Sequence, residues 1–290
     1  LEKFPPAFPG IGKTAERSRR RETVPGRDLI HDIDFNALYR EQAHRSSFGQ
    51  RSAAHWDSRA ERRQQDLRSD YTRAFLKHVN LKGAKTALDI GCGVGNLALP
   101  LSLRLKKVYA LDFSPEMLRR LAANARDAGA TNIRQFQLSW SDSWQRVPVA
   151  DIAICSRALS GRNPKRALEK MQQHARLRCY LSVHAGGSYL GPDIMKQLGR
   201  AIEPRPDYIY IVNILFQMGI RARVDFLKSE GGMTYHSVDA FLESIRWRIG
   251  KLSAAEEKRL RLFYRKFPRN RQGMAKYRHD FEWALLSWEK

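Results

Sequence analysis

Cysteine is scarce in this 290-residue chain: Cys92, Cys155 and Cys179 stand far apart, with no metal-ligand spacing. That excludes a disulfide framework and a zinc ribbon, and reads as three reduced, buried thiols of a cytoplasmic protein. No apolar run approaches the ~18 residues that a membrane span needs. The opening LEKFPPAFPGIGKTAERSRRR lacks the apolar stretch of a secretory signal. It also lacks a starting Met, so the native start is expected to lie upstream. Acidic residues are the other shortage, 30 against 52 basic, for a net charge of +22. The excess is spread along the chain, with clusters at Arg17–Arg21 and Lys258–Arg278. Such a surface attracts polyanions at low salt whether or not they are substrates, and solvated Arg-rich faces read the same way. Charge alone therefore does not select nucleic acid. No internal repeat, zinc spacing or RNA-binding aromatic motif is present.

What is there begins with Ala87–Ser102, ALDIGCGVGNLALPLS. Ala87–Ile90 is a short apolar run, as in a buried parallel strand, and Asn96–Leu103 reads as a helix. Between them Gly91, Gly93 and Gly95 let the chain turn sharply and let backbone N–H groups approach a ligand. A second strand, Lys107–Leu111, ends in Asp112, 21 residues after Gly91. An acid there is placed to accept the ribose hydroxyls of an adenosine. A dinucleotide site wants G-x-G-x-x-G, whereas here the pattern is Gly91-Cys92-Gly93-Val94-Gly95.

With Asp89 ahead of it, that turn resembles motif I of the class I S-adenosylmethionine-dependent methyltransferases, D-x-G-x-G-x-G. The following YALDFSPEML, Tyr109–Leu118, resembles the family's second motif, and the resemblance runs from about Trp56 to Ala185. It implies S-adenosyl-L-methionine as cofactor, S-adenosyl-L-homocysteine as product, and no metal. It implies a Rossmann-like α/β fold: a seven-stranded, mostly parallel sheet with helices on both faces and an N-terminal helical cap. The last strand is then antiparallel, between strands five and six.

The remaining pattern fits that frame. Residues 1–30 are expected to form a flexible basic segment, 31–80 the helical cap and 81–290 the methyltransferase domain that the resemblance implies. Within it 185–222 form an acceptor-side insertion, and 233–290 the C-terminal helices and last strand. Helices are expected at Asp34–Gln50, Ser52–Val79, Pro115–Asp127, Pro164–His174, near Asp193–Ile202, and at Tyr208–Met218, Ser237–Ile249 and Ser253–Phe267. Further strands are expected at Ile133–Leu138, Asp151–Cys155, Arg178–His184, Val224–Lys228 and Phe281–Trp288.

On the cofactor, the resemblance puts Gly91, Cys92, Gly93 and Gly95 against the methionine part and ribose, and Asp112 on the ribose diol. Asp89 would order the turn or reach the amino group through water. Phe113 and Met117 would pack on adenine. Ser139 stands where the family often has an acid for the adenine amine, with Asp142 or Trp140 as substitutes. Trp56, in AHWDSRAERR, would lie over the methionine end or contact the acceptor.

The acceptor side is less legible. The loop after strand four reads Cys155-Ser156-Arg157-Ala158-Leu159. It lacks the Asn/Asp-Pro-Pro-Tyr/Phe sequence of amine methylation, and Cys155 lacks the preceding Pro of the RNA cytosine-C5 enzymes. Arg157 can hold a carboxylate or phosphate bidentately. His184, at the end of strand five, is the candidate general base. Tyr208, Tyr210 and Asn213 are candidate acceptor contacts. The leading expectation is methyl transfer by SN2 displacement to a small-molecule acceptor, without a membrane partner. The alternatives are an RNA methyltransferase using the basic surface and a non-catalytic cofactor-binding protein. The oligomeric state stays open.

Overall fold

A computed structural model describes residues 29–49, 54, 56–57, 69–159, 163–186, 188–229 and 232–290. The chain divides into two compact units, 1–33 and 34–290. The first contributes a 3-10 helix, Leu29–Asp32. Among the described residues no helix is long and apolar enough to cross a membrane.

The second unit is organised by a sheet whose inner strands read as apolar runs because both their faces are covered. Strand β1 (Thr86–Ile90) lies between β2 (Lys107–Asp112) and β4 (Ala150–Ser156), parallel to both. Beyond them come β3 (Ile133–Gln137) and β5 (Ala175–Ala185), also parallel. The full order is β3-β2-β1-β4-β5-β9-β6, with β6 at Arg223–Ser229 and β9 at Phe281–Glu289. Strand β9 runs antiparallel to both neighbours, as the resemblance implies. Strand order reverses between β1 and β4, and a crevice outside the carboxyl ends of strands at such a point is where open α/β sheets bind ligands.

Helices cover the two faces. On one, Tyr71 and Phe75 of α2 (Asp70–His78), Leu99 and Leu101 of α3 (Ala98–Ser102), and Leu121 of α4 (Pro115–Asp127) meet Ala87, Val108, Ile152 and Leu285. On the other, Tyr39 of α1 (Phe35–Arg45), Leu168 and Met171 of α5 (Pro164–Gln173), and Ile211 and Leu215 of α7 (Tyr208–Gln217) meet Leu88, Ile90, Cys155 and Leu286. Strand β9 serves both: Trp283 and Leu285 go to the first face, Ala284 and Leu286 to the second. The period-2 alternation of strand side chains produces this division.

A third core lies apart from the sheet. Helix α6 (Pro192–Leu198), the antiparallel pair β7 (Gly232–Tyr235) and β8 (Ala275–Arg278), and helices α8 (Val238–Ile249) and α9 (Ala254–Tyr264) bury Ile194, Tyr235, Phe241, Ile245, Leu260 and Tyr277 together.

Several elements differ from expectation. The helix after the glycine turn is only Ala98–Ser102, because the turn runs on through Leu97. Of the helix expected over Ser52–Val79, the stretch 58–68 lies outside the described residues, and α2 starts afresh on the Ser69 cap, whose hydroxyl accepts the Thr72 N–H. Strands β7 and β8 were not expected. Helices α1 and α2 belong to the same compact unit as the sheet and share its cores. The expected basic segment, 1–30, lies outside the described residues apart from Leu29 and Ile30.

Candidate active site

The turn after β1 is closed by hydrogen bonds to β2. Gly91 and Cys92 donate their N–H groups to the Leu111 carbonyl (2.7 and 3.1 Å), and Gly93 donates to Asp112 Oδ2 at 2.8 Å. Its glycines serve different ends. A Cβ on Gly91 would collide with the Cβ of Ala158, in the loop after β4, whereas one on Gly93 would meet nothing within 4 Å. Gly91 thus lets two strand-end loops touch, while Gly93, at φ +53°, leaves an open cradle.

Two buried acids lie beneath. Asp112 accepts from Gly93 and, through Oδ1, from Ser114 N–H at 3.0 Å. Asp89 is 2% exposed and its carboxyl takes the Ala98 N–H, but its Oδ2 has no partner among the described residues. Burial, then the nearby Asp112, pushes Asp89 up to about 7 against that one N–H. Asn96 Oδ1 is likewise buried without a partner. Cys92 is buried, and burial, then Asp89 and Asp112, raises its thiol well above the usual range. Orphaned acceptors around an open glycine cradle suit the N–H groups of a cationic amine on a hydroxyl-bearing ligand, so these residues fit an S-adenosylmethionine.

Neighbouring segments wall this region. Trp56 packs against Val94 and Met117. Its neighbour Asp57, which the sequence reading missed, accepts the Ser114 hydroxyl at 2.6 Å beside the start of α4. Phe113 is half-buried at the tip of β2. Past β3, Ser139 donates both N–H and Oγ–H to Asp142 Oδ2 (2.7 and 2.8 Å), and these bonds hold the Asp142 carboxyl below the usual carboxylate range. Trp140 Nε1 donates to the Ala158 carbonyl at 2.9 Å, tying that turn to the loop that meets Gly91.

Residue Arg157, next to Ala158, opens a second region. At φ +57° it is the one positive-φ residue other than glycine among the described residues. Its N–H reaches the Ser182 carbonyl and Oγ, both at 3.1 Å. Its guanidinium lies 4.0 Å from the Tyr71 ring centroid, and the Tyr71 hydroxyl is hydrogen bonded to Ser156 Oγ (2.7 Å) and Ser182 Oγ (2.5 Å). From there a half-open cleft extends over the end of β5, lined by Arg157, His184, Tyr189, Arg205, Asp207 and Trp283. His184 is 8% exposed and neither ring nitrogen has a partner among the described residues; there Trp283 Nε1 is also buried without one. Burial, then Arg205 and His279, lowers His184 to about 4, so its ring is neutral at physiological pH.

The other sequence candidates lie elsewhere. Asn213 donates its amide to the Ile209 carbonyl of its own helix, Tyr208 packs on Phe226 in an edge-to-face contact, and none of Tyr208, Tyr210 and Asn213 lines the cleft. Tyr210 reaches it indirectly, edge-on against Tyr39, which does line it. Helix α7 instead contributes through its start, where Asp207 caps it and takes the N–H groups of Gly186 (2.8 Å) and Tyr208 (2.6 Å). Cys155 is fully buried, which drives its thiol far above the range of thiolate chemistry. Sequence reasoning missed Tyr39, Tyr71, Tyr189, Arg205 and Trp283. Trp283 had a signal, because placing the last strand beside strand five pairs it with His184. Among the described residues no cluster of His, Cys, Asp or Glu could hold a metal ion.

A family profile described as a methyltransferase domain matches residues 87–177. The chain is 31% identical over 263 residues to an uncharacterized protein of Haemophilus influenzae, covering 89% of this chain and 97% of that one. A 23S rRNA (uracil(1939)-C(5))-methyltransferase of Chromohalobacter salexigens is 35% identical over 83 residues, 29% of this chain and 17% of the relative. The crystal structure of the YcgJ protein from Bacillus subtilis superposes with a TM-score of 0.52 at 17% identity, covering 76% of this chain and 97% of that one, and shares the fold. With the profile on the strands that carry the glycine turn and an end-to-end relative, the chain belongs to the class I S-adenosylmethionine-dependent methyltransferases.

Proposed function

We propose that this enzyme methylates a small molecule held in the cleft over β4 and β5. One observation carries the reading: Ala158 touches the glycine turn while its neighbour Arg157 lines the cleft, so the two regions meet across a single peptide.

On this reading Asp112 takes the ribose hydroxyls, Asp89 and Asn96 face the amino-acid end, and Met117 and Phe113 wall the adenine, with Trp56 packed beside Met117. When bound, S-adenosylmethionine supplies a sulfonium methyl whose carbon–sulfur bond breaks as the acceptor's bond to that carbon forms. Displacement of this kind needs little besides alignment and exclusion of water. The cleft walls supply both, and the neutral ring of His184 is available to take a proton that the acceptor releases.

An RNA acceptor is the second reading, favoured by residues 258–279, which hold nine basic and no acidic residues. Labelled methyl transfer into a cell extract, split into RNA, protein and small-molecule fractions, separates the two. Label in the small-molecule fraction supports the proposal, and label confined to RNA overturns it.

A further inference from the structure

Buried polar groups in folded proteins almost always have partners. In this cleft three buried nitrogens have none among the described residues: both of His184 and the indole nitrogen of Trp283. The two side chains face each other across the β5–β9 pairing, ring centroids 5.2 Å apart, and Tyr189 closes on His184 at 4.5 Å. Around this aromatic box stand two cations on ring faces, Arg157 over Tyr71 and Arg205 at 5.6 Å from the Tyr189 centroid. Neither guanidinium has an ion pair among the described residues. Burial pushes the Tyr189 phenol up, while Arg205 and then Arg157 pull against it, so both cations act on one hydroxyl.

The sign of the site follows from a charge count over its lining among the described residues. Arg157 and Arg205 contribute two positive charges. Asp207 contributes one negative charge, already committed to the Gly186 and Tyr208 N–H groups. His184 is neutral. One positive charge is left over, in a box walled by flat rings. A planar monoanion satisfies both features: its carboxylate meets the guanidiniums, and its ring lies among Tyr39, Tyr189 and Trp283.

We infer that the acceptor is an aromatic monocarboxylate, anchored through its carboxylate by Arg157 and Arg205 and read for shape by Tyr189, His184 and Trp283. This rests on the proposed small-molecule reading and names its substrate class. Held by two cations, the carboxylate is the anchor, and the methyl group goes to another atom of the same molecule.

Benzoate and its neutral isostere benzamide serve as probes, titrated into the full-length protein with S-adenosyl-L-homocysteine present and followed by tryptophan fluorescence and calorimetry. Benzoate is expected to bind about tenfold or more tighter than benzamide, the scale of a lost charge-assisted hydrogen bond. Arg205→Met and Arg157→Met should each remove most of that preference, and Arg205→Lys should restore part of it. All three should bind the homocysteine product as the wild type does, which certifies the fold. Equal affinity for benzoate and benzamide, or a preference untouched by Arg205→Met, overturns the inference. Failure of the wider reading has another signature: methyl label in RNA, whatever the benzoate affinity.

Discussion

A carboxyl buried with one oxygen unpartnered costs about 1–3 kcal/mol unless a cation arrives to meet it. Asp89, held up near 7 by burial and Asp112, is in that position, and the ammonium of S-adenosylmethionine is the cation its surroundings suit. The ionised form pairs with an ammonium and the protonated form does not. Cofactor affinity measured calorimetrically is therefore expected to be highest at pH ~7.5, between Asp89 at about 7 and the ~7.7–8.0 range of an α-amino group, and to fall by up to about tenfold per unit below pH 7. Asp89→Asn should bind weakly and without that slope; a wild-type profile flat from pH 5.5 to 8 contradicts the pairing. Arg157 is a second residue whose backbone carries information. Its left-handed conformation costs a non-glycine residue about 1 kcal/mol or more, and the Ser182 bonds hold it there. Arg157→Gly and Arg157→Ala both remove the guanidinium from the Tyr71 ring, but only glycine relieves the strain. The glycine variant should unfold at higher denaturant, by about 0.5–1 kcal/mol after its own entropy cost.

At the scale of elements, Asp151 ties the start of β4 to the start of β1. It accepts from Lys85 N–H and Thr86 N–H (2.8 and 2.9 Å), Thr86 Oγ1 (2.9 Å) and Arg176 Nε (2.9 Å). Partial burial works to raise its pKa, but these donors outweigh it and bring the carboxyl down to about 2. A depressed carboxylate stabilises the fold above its unfolded value of ~3.9, and the stabilisation is lost as pH falls through the folded one. With allowance for screening by nearby water, Asp151→Asn should cost about 1 kcal/mol at pH 7, shrinking toward nothing below pH 2. Urea melts at pH 7 and pH 3 measure it, and an equal deficit at both would contradict the linkage. The elements themselves were unequally legible. Strands β1, β2 and β4 were readable because covered faces leave a continuous apolar run, and α4 because Ser114, Pro115 and an amphipathic stretch mark it. Strands β7 and β8 are four residues each and bury only alternate side chains, too little pattern to notice. The cleft wall was hidden for a different reason: Tyr39, Arg205 and Trp283 come from segments distant in sequence, brought together only by the fold.

For the whole molecule, the third core engages part of the C-terminal charge. Of the nine basic residues in 258–279, Arg259 donates to the carbonyls of Gln197 and Leu198 at the end of α6, and Arg261 pairs with Asp239 on α8. Lys258, Arg265, Lys266 and Arg271 are exposed on the outer side of that core. Changing these four to Gln should weaken RNA retention at low salt while leaving small-molecule turnover within about twofold, because non-specific phosphate contacts are a separate, salt-sensitive term. Loss of turnover in parallel with RNA binding would favour the second reading. On the proposed reading, the glycine turn and the Arg157 cleft are halves of one reaction centre, joined at Ala158. A crystal structure with S-adenosyl-L-homocysteine bound shows whether they are. The expected result has the ribose on Asp112 and the sulfur turned toward the mouth of the cleft between Arg157 and His184. A sulfur facing away from that cleft, or a ligand bound outside the turn, would contradict the account.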